Sequence, residues 1–311
     1  MDISILPLLL ASMFRMSFPL FVPSLGELIS QKAGVYNVAV EGYMLTGAVT
    51  GYLVAIFTQN SWLGLLAGMI AGMILSLIHA YLSITIKANQ FISGMALWLF
   101  SIGVSSFLYR MLKDKILALK VTGFNPIHFP VLSDIPYVGV ILFNRDILFY
   151  IGLILIVIFH FLLYRTNFGL IVRSTGDNPF AVDMAGYSVD KIRYSAVLIC
   201  GAMSGLGGAY LPLAIVRNFG ENLIAGRGFI SLCIVILGRW NPFGVFAGAL
   251  VFAFVDALQM HLQAAKSPIP FPILMMLPYL VTIIALVGLG PLLKKVESPR
   301  KLAIPYEKGQ V

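Results

Sequence analysis

The sequence predicts an all-α polytopic membrane protein, and three observations carry that prediction. Of 311 residues, 59% are hydrophobic and only 11% charged, whereas a soluble domain carries about a quarter charged residues. Mean hydropathy is +0.93. The apolar residues gather in runs of about 20, the length that crosses a bilayer as a helix. These runs do not alternate. Only helices and closed barrels satisfy the backbone in lipid, so the runs are helices.

Clear runs begin near Ile3, Val38, Trp62, Gln90, Ile147, Tyr194, Phe243 and Ile269, and residues 228–238 form a shorter one. The expectation is eight to ten membrane helices in a single transmembrane domain, 1–311. The opening MDISILPLLL lacks a basic segment and a small-residue cleavage site, so it reads as a retained span. Cys200 and Cys233 lie in apolar runs, which speaks against a disulfide framework.

Lysine and arginine in short loops set the orientation. Loop 165–193 holds Arg165, Arg173, Lys191 and Arg193, and tail 294–311 holds Lys294, Lys295, Arg300, Lys301 and Lys308. Both are expected in the cytoplasm, together with the turn at Lys87. Loop 112–145 falls outside, against the bias, because it carries Lys113, Lys115 and Lys120. The N-terminus is external if 24–36 is a simple loop and cytoplasmic if that stretch is re-entrant. The cytoplasmic face accounts for the net charge of +8, so no nucleic-acid partner is needed.

The chain repeats itself. LGLLAGMIAGMILSLIHAYL starts at Leu63 and FGVFAGALVFAFVDALQMHL at Phe243, so Gly64, Ala67 and Gly68 match Gly244, Ala247 and Gly248. Small residues at this spacing let helices approach closely. The two runs point in opposite directions in the expected topology. That pattern is an inverted internal repeat, with broken helices and a site near the midplane.

Four histidines, His79, His128, His160 and His261, form no metal-like cluster. His79 reads as a packed or pore-lining residue. No GxxxxGK[ST], GxSxG or HExxH stretch is present, so neither nucleotide hydrolysis nor other hydrolytic chemistry is visible. No metal or cofactor is expected. The stretch AGVYNVAVEGYMLTGAV, from Ala33, places Asn37 and Glu41 at the entry to a span. A carboxylate at a helix centre costs about 2.5–3.5 kcal/mol, so it turns to the bundle interior or to an aqueous cavity. Asp256 allows two readings, a helix–helix hydrogen bond or a transport role, and Glu27 sits near a span boundary. In RTNFGLIVRSTGDNPFAVDMAGYSVDKIRY, from Arg165, Asn178 reads as a helix cap with Pro179 at the first helical position. A short helix over 180–185 would end at Gly186. It is either a docking element for a soluble partner or a connecting helix on the membrane surface.

Three blocks carry a resemblance. GELISQKAGVYNVAVEGYMLTGA (26–48), the 165–194 loop and GRGFISLCIVILGRWNPFGVFAGALVFAFVDALQ (226–259) lie in order. Together they resemble the signature of bacterial ABC-importer permeases for simple sugars and nucleosides. The GRWNP block and the chain length look most like the nucleoside branch. Ser174-Thr175 replaces the family's Ala-hydrophobic pair, Asp177 replaces Glu, and Tyr43 stands where Met is common.

The resemblance implies a multi-pass permease in the bacterial cytoplasmic (inner) membrane that forms the path for a nucleoside or related sugar-containing solute. It is no enzyme, because a separate cytoplasmic ATP-binding subunit hydrolyses ATP. That subunit would dock through Gly176, Asp177, Asn178, Pro179, Ala181, Ala185 and Gly186. A second permease, a paralogue forming a heterodimer, would complete the path. An external substrate-binding lipoprotein or periplasmic protein would deliver the solute. Asn37 and Glu41 would lie in one broken helix. GRWNP would form a second break, with Trp240 and Asn241 on the path. Gln90 and Trp98 complete the expected path residues. Trp240 has two readings, stacking on a base or sugar, or anchoring at the interface. An ion-coupled secondary transporter of a small polar solute is the alternative, with Glu41 as its coupling site.

Overall fold

The computed structural model describes residues 5–118, 121–130, 133, 135, 139–265, 270–293 and 298–308. Ile3, Lys120, Ile269, Lys294 and Lys295 lie outside the described residues. Helix α1 is Ile5–Lys32, α2 Val40–Thr58, α3 Ser61–Ala80, α4 Gln90–Ala118 and α5 Ile147–Arg165. The short α6, Asn167–Asp177, and α7, Pro179–Met184, precede α8, Val189–Tyr210. Then follow α9, Arg227–Leu237, α10, Pro242–Ala264, and α11, Phe271–Leu293. Among the described residues, seven helices are long and apolar enough to cross a membrane. Helix α11 adds an eighth long apolar helix, of which Pro272–Ile284 is the described apolar stretch. The eleven residues of α9 rise about 16 Å, half a bilayer, so the shortest sequence run is half a span. Among the described residues the architecture is helical apart from one pair of short strands, which the apolar runs do not announce. There β1, Pro126–His128, pairs antiparallel with β2, Asn144–Asp146.

Helices α1, α2 and α8 are the most buried, while α4 and α5 face outward. Helices α2, α3 and α8 pack tightly because their crossings are built on glycine. A β-carbon at Gly72 or Gly205 would overlap the backbone of the neighbouring helix. Both α3 and α8 end in a π-helical turn, Tyr81–Thr85 and Leu211–Ile215, the second containing Pro212.

Contacts at the two ends fix the directions. At one end, the basic end, Gly34 after α1 bonds Ala303 of the tail, and Thr85 meets Tyr194 at the start of α8. Lys87 pairs with Glu307 at the same end. At the other end the Arg15 Nη2 donates to Ala214 O at 2.6 Å, and Ser12 meets His261. Tyr210 there donates to Asp146 Oδ2 at 2.7 Å. Helices α3 and α10, which carry the repeated Gly-Ala-Gly spacing, therefore run in opposite directions. The 24–36 stretch is not re-entrant: α1 takes it as far as Lys32, and the rest belongs to the connection between α1 and α2. The first described residues accordingly lie at the end opposite the basic one.

Candidate functional site

Two interruptions of the chain are each followed by a helix, and the starts of those helices, α2 and α9, meet inside the bundle. The first is 33–39, between α1 and α2. The second is 216–226, between α8 and α9, where Arg217, Asn222, Ala225 and Gly226 take positive φ. Helix α9 thus begins inside the protein, with Gly226 as its N-cap and no side-chain cap of its own. Glu41, in the first turn of α2 and 3% exposed, supplies the missing acceptors. Gly226 N–H donates to Glu41 Oε1 at 2.8 Å, and Gly228 N–H to Oε2 at 2.6 Å. The approach requires glycine, because a β-carbon on Gly228 would overlap the Glu41 backbone.

Glu41 lines a cavity of about 370 Å³ beside α9, with α4, α10 and α11 supplying further wall residues. This lies within the ~300–1,000 Å³ typical of small-molecule sites. Trp98 of α4 forms one wall and stacks edge-on against Phe229, with ring centroids 5.2 Å apart. Asn222, Gln259 and Tyr279 add neutral polar groups. Arg227 Nη2 donates to Asp256 Oδ2 at 3.1 Å across α9 and α10. Asp256 therefore makes the interhelical bond, and makes it on the cavity wall.

Asn37 lies apart from this cavity. It is fully buried, and its amide donates to Glu27 Oε2 at 3.1 Å and to Ser30 Oγ at 2.6 Å. Its backbone N–H also reaches Glu27 Oε1. Gln31 donates to the same carboxylate and accepts from Trp240 Nε1 at 2.8 Å. One buried network thus ties the α1–α2 turn to the α9–α10 turn. Trp240 is 7% exposed with its indole in the core, neither stacked in a cavity nor anchored at a surface. Asn241 is spent on capping α10, accepting from Phe243 and Gly244. GRWNP is therefore the turn at the basic end of α9, and the midplane break lies at the other end of that helix. Gln90 accepts from Tyr36 N–H at 2.9 Å near the basic end, also away from the cavity. Burial first, then the Glu27 and Cys233 charges, push the Tyr36 hydroxyl up to about 12, so it stays protonated. His79 is packed between Ser83 and Ser93.

The basic end carries a second feature. Asn178 caps α7 by accepting from Ala181 N–H, and Pro179 is its first residue. Gly186, at φ +88°, closes it: Gly186 N–H donates to Asp183 O and Tyr187 N–H to Val182 O, the Schellman arrangement. Ala181, Ala185 and Gly186 are exposed, as are Met184, at 73%, and Tyr187. The tail covers the inner side of this loop. Lys301 N–H donates to Gly176 O at 2.8 Å, Arg300 N–H to Asp177 Oδ1, and Tyr306 to Asp183.

Residues 9–286 match the family of branched-chain amino acid transport system permease components. The chain belongs to that family. It is 35% identical to the guanosine ABC transporter permease NupQ of Bacillus subtilis, over the whole of both chains. It is 32% identical to the nucleoside ABC transporter permease NupC of Lactococcus lactis, over 99% of both. A second L. lactis protein, the nucleoside ABC transporter permease NupB, is 23% identical over 76% of this chain and 68% of its own. No solved structure matches. The protein is thus an ABC transporter permease, a transport subunit and not an enzyme, and the ion-coupled alternative falls away.

In this permease, of the six expected path residues, the cavity takes in only Glu41 and Trp98. Sequence reasoning missed Arg227, Asn222 and Tyr279. Arg227 and Asp256 carried a usable signal, two opposite charges inside apolar runs, which must find partners there. Asn222 gave none, because its position depends on how 216–226 folds, and Tyr279 gave none, because it is one aromatic within the apolar run of α11.

Proposed function

We propose that this permease forms the path for nucleosides in a bacterial ABC importer of the cytoplasmic membrane. The observation that carries the reading is the cavity at the start of α9. It offers an aromatic wall and neutral hydrogen-bonding groups, the combination that suits a planar base joined to a hydroxylated sugar. The nucleoside permeases among its relatives support that solute class. The whole chain, 1–311, acts as one transmembrane domain with its basic end in the cytoplasm. Loop 165–193 is the coupling loop, where exposed α7 meets the ATP-binding subunit. The tail beyond α11 lies on the same face. The second permease is a paralogue, in line with the two relatives in L. lactis. An external receptor delivers the solute.

The test is reconstitution of the assembled transporter, with its ATPase, second permease and receptor, in proteoliposomes. Guanosine uptake should need internal ATP and should be competed by other nucleosides but not by glucose. Uptake driven by an ion gradient without ATP, or glucose uptake in place of guanosine, would overturn the reading.

A further inference from the structure

The N-terminus of an α-helix buried beside a cavity is an anion site. Its first N–H groups lack partners inside the helix, and the helix dipole adds partial positive charge. At α9 that site is already filled. The two oxygens of Glu41 take the N–H groups of Gly226 and Gly228, one each, at 2.8 and 2.6 Å. The other element on this wall able to hold an anion, the Arg227 guanidinium, is engaged through both its Nη atoms, and its buried Nε is left without a partner among the described residues. Its Nη2 is bonded to Asp256, and its Nη1 to the carbonyls of Leu223 and Ile224. Among the lining residues two carboxylates face the one guanidinium and the N-terminus of α9, so each positive element of the wall already has a carboxylate partner. Asn222, Gln259 and Tyr279 remain for a solute, and all are neutral.

We infer that Glu41 is a built-in anion that reserves the N-terminus of α9, so that the cavity selects uncharged solutes and rejects phosphorylated or other anionic ones. This rests on reading the cavity as the solute path. An incoming phosphate would have to displace a carboxylate tethered to α2 and would meet the Asp256 charge. Glu41 is therefore a specificity-determining residue whose work is to occupy. The Cβ-free Gly228 is the positioning residue that lets it do so.

The purified full chain in detergent, melted against inorganic phosphate at constant ionic strength with chloride as the balancing ion, tests this directly. The wild-type midpoint should not respond to phosphate. Glu41→Ala should melt lower and recover saturably with phosphate, because the vacated N–H groups bind it. Glu41→Gln, whose amide oxygen still accepts one N–H, should give a smaller saturable rise, and it serves where Glu41→Ala does not fold. An equal phosphate response in wild type and variants would overturn the inference, and so would none in either variant. In the reconstituted transporter, phosphate should inhibit residual guanosine uptake by Glu41→Gln and leave wild-type uptake untouched. Inhibition of both alike would also overturn it. Failure of wild-type guanosine uptake would strike the path reading and leave the phosphate titration standing.

Discussion

Trp98 and Trp240 look alike in sequence, each an aromatic within or beside an apolar run, and the structure gives them different work. Trp240 spends its one donor on Gln31 in the core. Trp240→Phe keeps the ring and leaves the buried Gln31 oxygen without that partner, a loss of about 1–3 kcal/mol. Its melting midpoint in detergent should fall, with the half-saturating guanosine concentration for uptake unchanged. Trp98→Ala removes a cavity wall instead. Its midpoint should move less, while guanosine uptake by the reconstituted transporter should drop several-fold. The reverse pattern would exchange the two roles. Glu41 was legible as a carboxylate that had to face inward, since lipid is closed to it. Its partners were not, because they are backbone N–H groups 185 and 187 residues away. Asn37 and Glu41 are four apart yet share no helix face, because α2 begins only at Val40.

Among the elements, local chemistry decided what could be read ahead. The Asn178-Pro179 start and Gly186 stop of α7 are written in adjacent residues, so the helix was predictable to within a residue. The β1–β2 hairpin has strands of three residues with no alternation to announce it. The eleven residues of α9 hid inside an apolar run because hydropathy reports length and not the depth at which a helix starts. Gly186 offers the sharpest test of α7. A β-carbon there would meet nothing within 4 Å, yet φ is +88°, so a side chain suffers only the left-handed backbone, at about 1–2 kcal/mol and more when β-branched. Gly186→Val should loosen the exposed end of α7 while leaving the membrane helices intact. Co-purification with the ATP-binding subunit should fall several-fold with the melting midpoint nearly unchanged. Normal co-purification and normal uptake would remove α7 from the docking surface.

Across the whole molecule, the basic end and the cavity are joined by continuous bonded contacts. The tail holds Gly176 through Lys301 and Gly34 through Ala303. Arg193, 1% exposed, donates to Ala33 O and to Ile304 O, pinning the end of α1 and the tail to the start of α8. From Gly34 the chain passes through Asn37, tied to Glu27, into α2, whose first turn holds α9 through Glu41. The tail was legible only as a basic segment, because its bonds to Gly34, Gly176 and Arg193 come from backbone groups that carry no sequence signal. A displacement of α7 would reach the cavity along this route, since packed interiors move as units and do not deform smoothly. Truncation after Glu297 removes the strap and touches no cavity residue. The truncated permease should still assemble with its ATP-binding subunit, because the exposed face of α7 is retained. Its ATP hydrolysis should continue, while guanosine delivered per ATP consumed should fall several-fold. Arg193→Lys, which keeps the charge but gives up the fork that reaches both carbonyls, should produce a milder fall in the same ratio. Both quantities are read from one proteoliposome sample, by released phosphate and accumulated guanosine. An unchanged ratio in the truncated protein would show that the tail only covers the loop, and force would then have to pass from α7 to α8 through their direct packing.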